Sequence, residues 1–288
     1  MLILLFYSIV CDEITFEDKN MLTQNDVRKA MNKNITKVIL KNISIIEENA
    51  FKNCKYMKLI SIPSSVKSIG RSAFYNCPKL ESVSFEKESK LTEINNSVFK
   101  HCRELKSISV PSSVKSIGRS AFLNCSKLES VSFEKESILK KIGNHSFSHC
   151  INLRSIELPS QLKKISSNLF EECTKLKSIT ISSNVSNIEN YSFLNCSNLN
   201  TVQYFGTMEP NVSQNAFQGC KKLKYVYITS NYPNKTFGPF EARKYDGSNR
   251  NKVLLIAICC TILIIICIIL LFIVRRIKKN DQSIAILK

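Results

Sequence analysis

The chain has 288 residues, of which 44% are hydrophobic, and this is enough apolar material to build a buried core. Its formal net charge of +18 favours anionic partners such as glycans and cell surfaces, in a salt-dependent way. Only three histidines and seven glycines are present, and no glycine-rich loop could cradle a phosphate, so the composition argues against a metal-dependent or nucleotide-dependent enzyme.

The first segment is a short apolar stretch from Leu2 to Val10, which has the length of the hydrophobic region of a signal peptide. The Lys or Arg that usually precedes such a region is missing. We predict a signal peptide over residues 1–11, with cleavage near Cys11. Residues 12–34 are interpreted as an N-terminal cap, in which residues 23–32 form a helix that closes the open end of the core.

A repeat with a period of about 24 residues occupies residues 35–228. It is plainest in two stretches that begin at Pro63 and Pro111 and that differ at only two positions. A Phe recurs once in every period, and a Cys follows each Phe three positions later. The phenylalanines are Phe51, Phe74, Phe99, Phe122, Phe147, Phe170, Phe193 and Phe217, and the cysteines are Cys54, Cys77, Cys102, Cys125, Cys150, Cys173, Cys196 and Cys220. A period of this length indicates a solenoid.

Each unit of the repeat has segments with a physical interpretation. The pattern of Leu105, Ile108 and Val110 ends with a period of two, so it predicts a short strand whose apolar side faces inward. Pro111 then ends the strand, because proline has no backbone N–H to donate. The following segment, SAFLNC in this coil, predicts a short helix or turn that places Ala, Phe and Cys in the core. Stacked coils should align the phenylalanines in a column and the strands in a parallel sheet of nine strands.

The eight repeated cysteines have two interpretations. In an extracellular chain they could form disulfides, and neighbouring coils are close enough for such bridges. A position that recurs in every coil is better explained as a small buried hydrophobic residue whose thiol donates to a backbone carbonyl. We favour the second interpretation and leave the first open.

The C-terminal part of the chain predicts a membrane anchor. Residues 229–252 are interpreted as a polar juxtamembrane connection. Residues 253–274 form an uncharged apolar run, which as a helix would span roughly 33 Å and could cross a bilayer. Arg275 and Arg276 open a dense basic flank, which favours a cytoplasmic tail over residues 275–288. The repeats would then be extracellular, on a single-pass protein of the plasma membrane.

The recurring motif Ile-x-x-x-Ala-Phe-x-x-Cys-x-x-Leu-x-x-Ile-x-Ile-Pro resembles the BspA-type leucine-rich repeat over about residues 23–240. This resemblance implies a leucine-rich repeat solenoid of short parallel β-strands with short helical or turn segments. It also implies a surface antigen of the kind found in bacteria and parasitic protists, some of which resemble adhesins for host cells or extracellular matrix. The Ala before Phe is replaced in several coils, by Val98, Ser146, Leu169 and Ser192.

The outward positions of the predicted strands form the candidate binding face. Small hydroxyl residues dominate these positions until the last coils, where two tyrosines and a lysine appear. The candidate residues are Ser82, Ser84, Ser107, Ser109, Ser130, Ser132, Ser155, Glu157, Thr180, Thr201, Gln203, Lys224, Tyr225 and Tyr227. Solenoids commonly bind through such faces, and Tyr is favoured at binding hot spots. The alternatives are a solvated sheet without a ligand and, for the tyrosines, rings that only cap the final strand of the solenoid.

No catalytic, metal or cofactor site is predicted. The spacing of His145 and His149 could place two imidazoles on one helical face, but no third metal ligand is evident. His149 and His101 occupy a position that is Asn in other coils, which indicates an ordinary surface residue. We therefore expect neither an enzyme nor a bound cofactor.

These features together predict a cell-surface adhesion protein that presents its repeats to host cells, matrix proteins or anionic glycans. Of the 41 basic and 23 acidic residues, five and one lie in residues 275–288, which leaves about +14 on the rest of the chain. Nucleic acid would be attracted by this charge, but it is not an expected partner of a membrane-anchored ectodomain. Two alternatives stay open, a receptor that signals through adaptors on the tail and a structural antigen of the surface coat.

Overall fold

The structure is a computed structural model that describes residues 12–31 and 35–245, together with the backbone of Ile9 and Val10. The chain divides into two compact units, Met1–Lys244 and Tyr245–Lys288, and only Tyr245 of the second unit is described. The transmembrane segment and tail predicted over residues 253–288 therefore lie outside the described residues. Within the described ranges, no helix is long and apolar enough to cross a membrane.

The first unit is built from short strands. In chain order, they are β1 (Ile9–Val10), β2 (Glu13–Glu17), β3 (Met21–Leu22), β4 (Lys37–Lys41), β5 (Ile45–Ile46), β6 (Leu59–Ile62), β7 (Ser68–Ile69), β8 (Ser82–Phe85), β9 (Glu93–Ile94), β10 (Ser107–Val110) and β11 (Ser116–Ile117). They continue as β12 (Ser130–Phe133), β13 (Lys141–Ile142), β14 (Ser155–Glu157), β15 (Lys164–Ile165), β16 (Ser178–Ile181), β17 (Asn187–Ile188), β18 (Thr201–Tyr204), β19 (Asn211–Val212), β20 (Tyr225–Ile228), β21 (Thr236–Phe237) and β22 (Phe240–Lys244). A single helix, α1 (Gln24–Ala30), occurs among the described residues.

The strands form a parallel β-solenoid with two walls. The first wall is a 13-stranded sheet in the order β1-β2-β4-β6-β8-β10-β12-β14-β16-β18-β20-β22-β21, in which β2 to β22 are parallel and β1 and β21 are antiparallel edge strands. The second wall consists of the two-residue strands, in one sheet of six strands (β13-β11-β9-β7-β5-β3) and another of three (β15-β17-β19). Each coil from β2 to β19 thus contributes one strand to the first wall and a shorter one to the second.

The core lies between the two walls because the strands alternate as the sequence predicts. In β10, Ile108 and Val110 are buried and Ser107 and Ser109 are exposed, and Pro111 follows the strand directly. The eight repeated phenylalanines lie in one buried column, with neighbouring ring centroids 4.8 to 5.7 Å apart and ring planes within 2° to 19° of parallel. Parallel-displaced rings at this distance attract each other beyond the gain from burial alone.

The Phe-bearing segments are turns, and the short helices allowed in the prediction do not form. Residues two before Phe and one before Cys adopt a left-handed backbone, as Ser120 (φ 57°) and Asn124 (φ 60°) show. Such residues interrupt a right-handed helix. The backbone amides instead donate to the next coil, as Phe99 N does to the Ala121 carbonyl at 2.8 Å, so inter-coil hydrogen bonds replace those of a helix.

The cysteines stack beside the phenylalanines, and all eight that the structure describes are free thiols. Seven of them donate a hydrogen bond from Sγ to the carbonyl of the Phe in the preceding coil, over 3.0 to 3.3 Å. Burial raises the pKa of the Cys150 thiol to about 12, so this group stays neutral. The exception is Cys54, which is half-buried and lines a cavity of about 430 Å³ beside α1.

The N-terminal end of the sheet extends beyond the predicted repeats. Strand β2, within the region interpreted as a cap, pairs in register with β4, so one further coil precedes residue 35. This coil buries Ile14, Phe16 and Leu22 but has α1 in place of the Phe turn. The predicted helix is thus confirmed, although it is part of a coil and does not stand alone as a cap. The ring of Phe16 meets Phe51 edge-on and ends the column.

The C-terminal end also extends, because β22 pairs in parallel with β20. Residues 236–244 therefore form a β-hairpin on the sheet, which corrects the prediction of a polar connection from residue 229 for this stretch. The aromatic side chains of Tyr232 and Phe237 are buried in this segment, and their burial explains why it folds onto the sheet. Phe240 packs edge-on against Phe217 and ends the column on this side, so the sheet contains eleven parallel strands where nine were predicted.

Candidate binding face

The outward side chains of the parallel strands β2 to β22 form one surface, which we call the strand face. Register pairs such as Ser107 with Ser130 and Ser109 with Ser132 bring equivalent positions of successive coils side by side. Because adjacent strands lie about 4.8 Å apart, these positions form two straight rows. The strand face is therefore a regular two-row array.

Both rows follow from the strand register. The first row is Glu13, Lys37, Leu59, Ser82, Ser107, Ser130, Ser155, Ser178, Thr201, Tyr225 and Glu241. The second row is Thr15, Ile39, Ser61, Ser84, Ser109, Ser132, Glu157, Thr180, Gln203, Tyr227 and Arg243. Every predicted binding residue lies in one of these rows except Lys224, which is exposed directly before β20.

The middle of the strand face is a block of six exposed serines on β8, β10 and β12. We call this set the serine block, and it comprises Ser82, Ser84, Ser107, Ser109, Ser130 and Ser132. None of its hydroxyls is hydrogen-bonded to another described residue, although each can donate one hydrogen bond and accept two. The block thus offers unengaged hydrogen-bonding groups at a fixed spacing.

The two tyrosines lie at the C-terminal end of the strand face, but β20 is not the final strand. Tyr225 and Tyr227 are half-buried, with ring centroids 5.5 Å apart in an edge-to-face arrangement. The guanidinium of Arg243 on β22 lies over the Tyr225 ring, with Cζ 3.7 Å from the ring centroid. One face of Tyr225 is therefore already covered by the chain itself.

Charged residues line the edge of the strand face where the strands begin, and their signs tend to alternate between coils. Lys106 Nζ lies 3.1 Å from Glu81 Oε2, and Arg154 Nη2 lies 3.8 Å from Glu129 Oε2. These pairs are exposed, so each contributes little to stability. Their effect is to neutralise this edge pairwise from β8 to β14, whereas Arg154 and Lys177, which precede β14 and β16, place like charges in neighbouring coils.

A groove of about 790 Å³ crosses the strand face over β12, β14 and β16. Its floor carries outward residues of both rows, among them Ser132, Ser155, Glu157 and Thr180. Phe205, from the loop after β18, lies on the far side. Several predicted binding residues thus share one concave site.

The three histidines of the chain line a separate shallow depression of about 450 Å³. His145 Nδ1 lies 3.3 Å from Glu171 Oε2, and Asn124 Nδ2 lies 3.0 Å from His101 Nδ1. Burial, with help from the nearby positive charges of Lys100 and Arg103, lowers the pKa of His101. Among the described residues no group of three His, Cys, Asp or Glu could hold a metal ion.

His145 and His149 do not share a helical face, because both lie in turns with positive φ. The alternation within each strand predicts which side chains face outward, as the structure shows for β10, but it does not predict the groove. The feature of the sequence that could have indicated the groove is the length of successive coils. Short and long intervals between phenylalanines alternate as far as Phe170, and a second short interval, from Phe170 to Phe193, then breaks the alternation.

Comparison with known families identifies the repeats. The description "BspA type Leucine rich repeat region" matches residues 30–138 and 132–240, in six copies. The chain belongs to the BspA-type leucine-rich repeat family. Its BspA-type repeats extend from the end of α1 to the first residue of β22 and include strands of both walls, from β4 to β21.

Several solved structures are similar to this BspA-type protein. They include a leucine-rich repeat protein of T. pallidum, at 23% identity and a TM-score of 0.47, covering 76% of this chain and 87% of that chain. The pneumococcal vaccine antigen PcpA has 20% identity and a TM-score of 0.45, covering 81% and 66%. A leucine-rich repeat protein of Bacteroides ovatus has 22% identity and a TM-score of 0.43, covering 78% and 70%. A search of curated proteins found no significant match.

Proposed function

We propose that this BspA-type protein is a cell-surface binding protein, and that its strand face attaches it to a protein or glycan on another cell or in the matrix. The serine block is the observation that carries the proposal. Six exposed hydroxyls without a partner among the described residues lie in register on a rigid sheet. Proteins of this repeat family are often surface-exposed, which supports the location.

Serine suits such a surface for two physical reasons. Its side chain loses little conformational entropy on binding compared with long polar side chains, so the cost of ordering the interface is small. Its hydroxyl can donate or accept, so one array can match the polar groups of different ligands. An array that runs across several coils also lets an extended ligand contact them at once.

The proposed location rests on residues 253–274 as a membrane-spanning helix and on residues 275–288 as its cytoplasmic tail. The basic flank that follows the apolar run supports this orientation. The repeats would then face outward, where their net positive charge brings them towards negatively charged surfaces.

The experiment is a binding screen of the purified full-length chain against matrix proteins and a glycan array. We expect saturable binding that Ser109→Arg weakens at least about tenfold, because the long charged side chain obstructs the serine block. Ser116→Arg is the matched control, since Ser116 lies on β11 of the same coil but in the second wall. The absence of any saturable ligand, or equal loss of binding in both variants, would contradict the proposal.

A further inference from the structure

The groove on the strand face results from the lengths of successive coils. From β6 to β13, shorter and longer coils alternate, as the spacing of Phe74, Phe99, Phe122 and Phe147 shows. The coils that run from Phe147 to Phe170 and from Phe170 to Phe193 are both of the shorter kind. Two adjacent short coils leave a depression between the longer loops that follow β12 and β18.

The second wall changes at the same place. Its six-stranded sheet ends at β13, and its three-stranded sheet begins at β15. The strands β12 and β18, which border the depression, are three strand spacings apart, or about 14 Å. The groove of about 790 Å³ is within the size range of ligand sites, and it is the result of a break in the repeat.

The groove differs in charge from the rest of the chain. Its lining, as far as the structure describes it, includes the carboxylates of Glu134, Glu136 and Glu157 and contains no Lys or Arg, although the whole chain has a net charge of +18. Glu134 accepts a hydrogen bond from the Ser112 backbone N–H at 2.9 Å. Neither Glu136 nor Glu157 forms an ion pair or side-chain hydrogen bond with another residue that the structure describes. Two unpaired carboxylates therefore face a concave site.

We propose that this groove binds a Lys- or Arg-bearing extended segment of a partner protein. The inference rests on the proposed binding function of the strand face and specifies the chemistry of its partner. Glu136 and Glu157 would pair with the cationic side chains, and such charge-assisted hydrogen bonds are stronger than neutral ones. The serine and threonine hydroxyls on the floor would bind the peptide backbone.

Phe205 supplies the second part of the recognition. Its side chain is 40% exposed at the edge of the groove, whereas most large apolar side chains of the described residues are buried. A guanidinium can lie over such a ring in a cation–π contact, as Arg243 does over Tyr225 within this chain. An anionic glycan, which the net charge favours elsewhere on the protein, would be repelled by the carboxylates here.

The test uses the purified full-length chain and a fluorescein-labelled hexapeptide of alternating arginine and glycine, with fluorescence anisotropy as the readout. Because the chain as a whole repels a cationic peptide, saturable binding reports a local acidic site. We expect the double variant Glu136→Gln, Glu157→Gln to weaken binding at least about tenfold. A peptide with citrulline in place of arginine should bind about tenfold more weakly to the unaltered chain.

Glu88→Gln is the matched control, because Glu88 occupies the repeat position of Glu136 in an earlier coil and lies outside the groove. It should bind the peptide like the unaltered chain, and all three proteins should melt at the same temperature. Absent binding, or equal binding by the double variant, overturns the inference. Saturable binding of chitohexaose that the double variant loses, with no binding of the arginine peptide, would overturn it in favour of a saccharide.

The two proposals can fail separately. Ser109 lies on the strand face but does not line the groove. If Ser109→Arg abolishes binding of a matrix ligand while the double Gln variant binds neither less nor more peptide, the face functions and the groove inference is wrong. If the arginine peptide binds as expected but no matrix or glycan ligand is found, the groove inference holds and the broader function is wrong.

Discussion

Residues with a left-handed backbone conformation recur at fixed positions of the coils and shape the turns. A non-glycine residue in this conformation costs roughly 1–2 kcal/mol, and Asn and His tolerate it better than most residues. Asn53 and His101 occupy the position before Cys with φ of 63° and 64°, and Gly219 takes it with φ of 79° in the last Phe coil. The amides of Asn53 and His101 donate to the next coil, to the Tyr75 carbonyl at 2.9 Å and to the Leu123 carbonyl at 2.8 Å. The inter-coil hydrogen bond offsets the local strain.

The stacked ring of Phe122 provides the first prediction at this scale. Its centroid lies 5.4 Å from that of Phe99 and 5.3 Å from that of Phe147, and the side chain is fully buried. We expect Phe122→Ala to lower the free energy of unfolding by roughly 3–5 kcal/mol, because it leaves a cavity in the column. Ser132→Ala on the strand face should change stability little. Equal melting temperatures of the two variants would contradict the packing described.

The thiols give the second prediction. Seven repeat cysteines are buried, and burial raises the pKa of the Cys150 thiol to about 12. Cys54, in contrast, is half-buried beside the cavity at α1. Alkylation requires both access and the thiolate, so iodoacetamide at pH 8 should modify Cys54 first among the eight. Mass spectrometry of the native chain would show this. Prior modification of Cys150 would mean that the core is open.

At the scale of elements, helix α1 depends on its first turn. The Thr23 side chain accepts from the Asp26 backbone N–H at 3.2 Å, and the Asp26 carboxylate accepts in return from the Thr23 N–H at 3.0 Å. Lys19 Nζ also donates to Asp26 at 2.5 Å. Burial alone would raise the pKa of Asp26, but these hydrogen bonds outweigh it and hold the pKa below its ordinary value.

We therefore expect Thr23→Ala to lower the free energy of unfolding by about 1 kcal/mol. Because the folded pKa of Asp26 is depressed, its contribution is present above its unfolded value of about 3.9 and is lost as the pH falls through the folded pKa. Thermal melts at pH 7 and pH 2 check both effects. If Asp26→Asn melts like the unaltered chain at pH 7, the capping box does not stabilise the helix.

Some elements could be predicted from the sequence and others could not, and the difference has physical reasons. The period of Phe and Cys predicts the stacked column of rings. The alternation in segments such as Ser107–Val110 predicts which side chains face outward. Strand β2 was missed because its coil has α1 where other coils have the Phe and Cys. Strand β22 was missed because its largely polar sequence contributes only Phe240 and Ala242 to the hydrophobic core. The groove depends on the difference between neighbouring coils, which a consensus motif averages out.

At the scale of the molecule, each coil is stabilised by its neighbours, so the two ends need special treatment. Edge-on rings, Phe16 and Phe240, end the stacked column on either side. The C-terminal edge strand β21 has two residues, and such a short edge discourages pairing with other chains. The stacked column is thus terminated at both ends by rings of the chain itself.

The membrane topology gives a further prediction at this scale. If residues 253–274 span the membrane with the basic flank inside, a tag fused after Lys288 should survive protease treatment of intact cells. The repeats should be digested or released under the same conditions. Loss of the tag before permeabilisation would reverse the predicted orientation.

The most direct test of the central claim, that the strand face binds the partner, is a binding isotherm after a bulky group is attached to one side of a single coil. In a Cys54→Ser background, which removes the half-buried repeat thiol, Ser107→Cys and Ser116→Cys place a reactive thiol on β10 of the first wall and on β11 of the second. Maleimide-linked polyethylene glycol then covers either position. We predict that the polymer at residue 107 abolishes saturable binding, whereas the polymer at residue 116 leaves the Kd unchanged. Unchanged binding with the polymer at residue 107 would contradict the claim.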